Sequence, residues 1–178
     1  MARKIFILFT FLVILILAER PWPTEPELFT APHIPLENSL TDYTSQLLPR
    51  YKHHPIGDIK SNGYLYFYHS HRKNEHGHFH IFIANEKIFS HLIAISINKS
   101  GEPQAFFTTN KWVTGEKPLK KKELLRALHN FHLSDDNPTN TYLNTLMKTY
   151  ESELTRMLAV KPKGRRHQDI LQLMTLNR

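Results

Sequence analysis

Four short runs of aromatic, β-branched or alternating residues follow one another: "YLYFYHSHR" (64–72), "HFHIFIA" (78–84), "HLIAISIN" (91–98) and "QAFFTTN" (104–110). Asn62-Gly63 precedes the first, and the turn sequence "NKSGEP" precedes the last. The breaks between the runs are short and polar. Parallel strands need a crossover of a dozen or more residues, so the spacing favours an antiparallel meander.

The period changes near residue 115. Pro118 suits the first position of a helix, and Leu124, Leu125, Leu128 and Phe131 then make one stripe. After "DDNP", Leu143, Leu146, Met147, Tyr150, Leu154, Met157 and Leu158 recur at spacings of three and four. This predicts a core helix of about four turns. Pro162 and Gly164 end it, and a last short helix is expected over 170–176. A further short helix is expected over 39–48, with Ser39 as its cap and Pro49 beyond its end. The fold class is therefore α+β: an antiparallel meander sheet of about four strands, packed on one face by C-terminal helices.

The chain has 178 residues, which suits one domain plus a targeting segment. Arg3-Lys4 precede an apolar run over 5–18 with no charge in it. This is the pattern of a signal peptide, and the run is short for a permanent span. Ile16 and Leu17 ahead of Ala18 make a poor cleavage signature, which keeps a signal anchor open. Everything after 18 is expected to be exported, either periplasmic or anchored to the inner membrane. Residues 19–37 hold five prolines and read as an extended linker, leaving 38–178 as a single α+β domain. The chain has no cysteine, which excludes a disulfide scaffold, a thiolate metal site and a lipidated N-terminal Cys.

Five of the 12 histidines fall in "HSHRKNEHGHFH" (69–80). Residues two apart in a strand share a face, so His69 and His71 form one pair, and His78 and His80 another. A hairpin turning symmetrically about Asn74-Glu75 sets His71 opposite His78 and His69 opposite His80. Opposed Cβ atoms lie roughly 5 Å apart. Leu65, Phe67 and Phe82 continue this face; Tyr64, Tyr66, Tyr68, Phe79, Ile81 and Ile83 make the other. Four crowded imidazoles favour neutral rings, and neutral converging rings are good ligands for a divalent transition metal, zinc first. Glu75 and His76, in the turn, are placed to hold ring nitrogens or to transfer protons. A bulge at Gly77 or an odd loop would split the pairs between faces. His91 and His53-His54 have no placement from sequence, and His33, His129, His132 and His167 read as ordinary residues.

The same letters support a second reading. "HGHFHIF" (76–82) fits His-φ-His-φ-His-φ-φ with Gly77 as φ, and so looks like the histidine-triad nucleotide hydrolases and transferases. That resemblance implies His78 as the nucleophile on a phosphate. The match covers seven residues, and such a triad strand is not normally preceded by another His-x-His.

"FFTTNKWVTGE" (106–116) marks the passage from strand to helix. Thr108, Thr109, Asn110, Trp112 and Thr114 suit either a pocket lining or a structural corner in which Trp112 plugs the core. The corner reading is preferred.

"HPIGDIKSNGYLYFYHSHRKNEHGHFHIFI", "HLIAISINKSGEPQAFFTTNKWVTGE" and the downstream helices together resemble the bacterial domain family of unknown function DUF6969, from about His54 to Leu158. The resemblance implies no activity, because the family has none assigned. It does support treating the histidines and the Trp-Val-Thr-Gly-Glu corner as one neighbourhood. This chain departs from the usual member in its N-terminal apolar segment and in its short 72–77 turn.

The formal charge is +7, of which +6 falls in residues 99–178. It gathers in "KPLKKK" and "KPKGRR", where Lys120, Lys121, Lys122, Arg165 and Arg166 form basic patches suited to an anionic membrane surface. No aromatic residues interleave them, which disfavours nucleic acid. A non-catalytic envelope protein docking through these patches is thus the third reading.

Overall fold

Asn62 and Gly63 both adopt positive φ, 48° and 78°. That pair of left-handed conformations makes the two-residue turn whose twist matches flanking antiparallel strands. It joins β2 (Ile59–Ser61) to β3 (Tyr64–His69). The other strands are β1 (Glu27–Pro32), β4 (Gly77–Asn85), β5 (Ile88–Ile97), β6 (Pro103–Thr109) and β7 (Ile170–Asn177). The helices are α1 (Lys111–Thr114), α2 (Lys121–His129), α3 (Pro138–Thr149) and α4 (Glu151–Ala159). This computed structural model describes residues 27–32, 34, 59–70, 72–85, 88–115, 117–134, 137–162 and 169–177. The apolar run 5–18 and the expected helix over 39–48 lie outside them. No helix among the described residues is long and apolar enough to cross a membrane.

The four expected strands pair consecutively as the antiparallel meander β3-β4-β5-β6. The expectation of about four strands is nevertheless corrected, because one sheet of seven runs in the order β1-β7-β6-β5-β4-β3-β2. Unpaired strand edges demand partners, and both edges of the meander find them. β2 extends one side. β7 pairs antiparallel with β6 on the other, and β1 adds parallel to β7, which makes the sheet mixed. Of the proline-rich stretch 19–37, Glu27–Pro32 thus belongs to the sheet as β1.

The expected helix over 170–176 is also corrected: it is β7. "ILQLMTLN" is short and apolar enough to fit either period. The open edge of β6 decides, with Met174 opposite Phe106 and Thr175 opposite Ala105. Gln172, inside this strand, donates to the carbonyls of Met157 at 2.7 Å and Val160 at 3.0 Å and ties it to the end of α4.

The helical stripe is core, as expected: Leu143, Leu146, Met147, Tyr150, Leu154, Met157 and Leu158 are all buried. It is carried by two helices rather than one. They meet at Tyr150, although Leu154 N still donates to Tyr150 O at 2.9 Å. α3 starts with Pro138 at its first turn, and the Asn137 side chain accepts from Asn140 N. The first helix after Pro118 begins later than expected, at Lys121.

These helices share one core cluster with Tyr64, Tyr66, Tyr68, Phe79 and Ile81, with Ile83 packed against it. The assignment of alternate residues to two faces therefore stands. Buried hydroxyls are satisfied across the layers, Tyr66 on Asn140 Oδ1 at 2.8 Å and Tyr142 on Gly101 O at 2.7 Å. Gly63→Ala should cost about 1 kcal/mol, because its φ of 78° is strained for a residue with a Cβ. Chemical denaturation would show this as a lower midpoint.

Candidate functional site

The second face of the sheet is also buried over β4 and its neighbours. His78, His80 and Phe82 of β4 point to this face, and Phe107 of β6 sits beside the two histidines. The His78 and His80 rings lie 4.9 Å apart in a T-shaped arrangement. Phe67 of β3 packs on both His80 and Phe82, at 5.2 and 5.5 Å between centroids.

His69 stands directly opposite His78 in the β3–β4 ladder, and Phe67 opposite His80. This corrects the expected register, which set His69 opposite His80 and His71 opposite His78. The hairpin turns two residues earlier on β3. The slip is by an even number, so the faces are kept. His71 lies outside the described residues.

A bulge brings in a histidine that the sequence left unplaced. Ile81 pairs with Ile93, but Phe82 pairs with His91, so Leu92 is the extra residue of β5. Strict alternation with Ile93, Ile95 and Ile97 would send His91 toward the helices. The bulge turns it to the opposite face, next to His80 and Phe82 at ring distances of 5.1 and 5.2 Å. Nothing in "HLIAISIN" signals a bulge, which is why the residue escaped prediction.

Two hydrogen-bonded chains result. In the first, His78 Nδ1 bonds to Glu75 Oε1. Glu75 Oε2 lies 3.5 Å from Arg72 Nη1, and the Arg72 guanidinium sits 4.7 Å from the centroid of the Phe107 ring. Burial pushes the Glu75 carboxyl up. The His78 hydrogen bond, the charges of His78 and Arg72 and a bond from Ser96 outweigh it and hold the carboxyl below its usual range. In the second chain, His80 Nδ1 meets His91 Nε2 at 2.9 Å, and His91 Nδ1 meets Thr109 Oγ1 at 3.4 Å. Desolvation, and then the charge of His78, push His91 down to about 3, so that ring is neutral at ordinary pH. A neutral imidazole has one donor and one acceptor nitrogen, so His80 and His91 share a single proton between the facing nitrogens.

His76 does not join these rings. Its Nδ1 is 2.6 Å from the hydroxyl of Tyr68, a residue of the helix-covered face. The three histidines of the His-φ-His-φ-His pattern are therefore not ranged side by side. Among the described residues, no group of three or more His, Asp or Glu is placed to hold a metal ion. Trp112 does not plug the core as expected: it is 55% exposed, on an α1 helix that buries nothing. Lys120, Lys121 and Lys122 are exposed at the start of α2, whereas Arg165 and Arg166 lie outside the described residues.

The fold and site define an α+β domain with one mixed sheet, helices on one face and a buried histidine cluster on the other. The sequence matches the family described as Domain of unknown function (DUF6969) over residues 37–169, and the chain belongs to that family. No curated protein and no solved structure matches it.

Proposed function

We propose that the cluster binds one divalent transition metal ion, zinc first, with His78 and His80 as ligands completed by His69 and His71. The carrying observation is the Glu75 carboxylate on His78 Nδ1. A carboxylate on the outer nitrogen fixes the tautomer, makes Nε2 the lone-pair nitrogen and raises its basicity, which is how ligating imidazoles are commonly held. The hydrogen bond between His80 Nδ1 and His91 Nε2 supports the reading, since it occupies one nitrogen of His80 and orients its ring. Elemental analysis of purified protein, after dialysis with zinc, copper, nickel or iron, should find one metal per chain. His78→Ala and His80→Ala should lose it. Metal-free wild-type protein after each dialysis would sink the reading.

The same dyad favours a second reading, in which Glu75 orients His78 as a general base, or as the nucleophile of a histidine-triad-like phosphate reaction. Here the metal content would be nil, and Glu75→Gln would abolish turnover of a phosphate ester that the wild type cleaves. Metal-loaded wild type whose metal is lost in His78→Ala would decide for the first reading. The basic patches support a third, non-catalytic role in docking on anionic surfaces.

A further inference from the structure

A cleft of about 990 Å³ opens where β5 begins and β6 ends, beside the start of α2 and the end of α4. This is at the upper end of the size range of small-ligand pockets. Leu92, Leu119, Leu124, Leu158, Val160 and Leu171 supply its apolar wall. Polar groups on the inner wall already have partners. The Gln172 amide is used by Thr108, Met157 and Val160, and both ring nitrogens of His91 are used by His80 and Thr109. A ligand inside therefore meets a wall with little unspent hydrogen bonding.

The rim is different. Lys111, Lys120, Lys121 and Lys161 all line the cleft, and among the described residues no Asp or Glu does. None of the four is in an ion pair among the described residues. Four ammonium groups of one sign beside an apolar slot make a field that favours an anionic headgroup. Ser90 Oγ donates to Lys117 O at 2.6 Å and pins the segment that carries this rim against β5.

We propose that the cleft binds a single-chain anionic amphiphile, its aliphatic tail along the leucines and its carboxylate or phosphate head among Lys111, Lys120, Lys121 and Lys161. The inference is independent of the metal reading, because neither His78 nor His80 lines the cleft.

Calorimetric titration of the full chain with oleate and with dodecyl phosphate, each below its micellar concentration, tests it. Saturable one-to-one binding is expected with both probes or with one, which also tells carboxylate from phosphate selectivity. Lys120→Glu/Lys121→Glu should weaken it at least about tenfold, as should raised salt. Val160→Asp should weaken it through the tail. These positions are on the surface, so circular dichroism should show the wild-type fold. His78→Ala should bind as the wild type does. Dodecanol binding as tightly as dodecyl phosphate would overturn the proposal. Unchanged affinity in the charge-reversed variant would do the same, as would binding only to phosphatidylglycerol vesicles.

Discussion

Phe79→Ala is expected to destabilise the domain by about 3–5 kcal/mol. Phe79, near the start of β4, is 1% exposed, with ring centroids 4.9 Å from Tyr68, 6.3 Å from Tyr66 and 6.2 Å from Tyr142. Three elements converge on it, two strands and α3. No side chain there is free to collapse into the space, so transfer and cavity costs add. A loss of this size rivals the whole stability of an ordinary domain. Chemical denaturation should show a large drop in midpoint, or no folded protein at all. Trp112→Ala is the internal control, since a ring 55% exposed on α1 should change stability by no more than about 0.5 kcal/mol. Similar shifts for the two variants would refute the assignment of Phe79 to the core.

Acid should begin to destabilise this protein at a pH above the range in which its carboxylates titrate. His91 is neutral in the fold, with a pKa of about 3 against 6.5 when free. The unfolded chain therefore binds the extra proton first, and stability falls as the pH drops from about 6.5 toward 3. Every tenfold loss of proton affinity on folding is equivalent to about 1.4 kcal/mol, so the fall amounts to several kcal/mol. His76 is lowered too, by burial and then by the charge of Lys99, and adds in the same direction. Glu75, held below its ordinary 4.5, contributes stability that is lost as the pH falls below about 4.5. Denaturation midpoints at pH 7, 5.5 and 4.5 should slope down steeply for the wild type. His91→Leu should be less stable at pH 7, because His80 and Thr109 lose a partner, yet its slope should be flatter. Equal slopes would show that His91 is not the group responsible.

Local pattern carried the meander and the helical stripe because both are properties of short segments. Aromatic and β-branched alternation over 64–110 could be satisfied only by strands with one face inward, and the intervening breaks left room only for tight turns. Which residues share a face within β3, and which within β4, followed from parity alone. The opposing pairs did not, since a two-residue slip of the hairpin leaves parity unchanged and nothing local penalises it. That slip replaced His71 by His69 as the partner of His78. The role expected of Glu75 as a support for ring nitrogens is met at His78, since three residues of separation across a turn bring the two side chains together.

What the sequence determined by itself was a helix-covered face of tyrosines, Phe79 and isoleucines, a histidine pair on the reverse, and a core stripe through α3 and α4. Each depends on contacts between residues close in the chain, where the period of side-chain directions is dictated by the backbone. The tertiary structure alone decided the rest. β7 joined the sheet because the open edge of β6 offered unpaired backbone groups to a segment more than sixty residues away, and β1 then paired with the edge of β7. His91 reached His80 because an extra residue was accommodated between β4 and β5. Pairing energy of that kind is gained only when distant strands meet, so no short stretch of the chain can announce it.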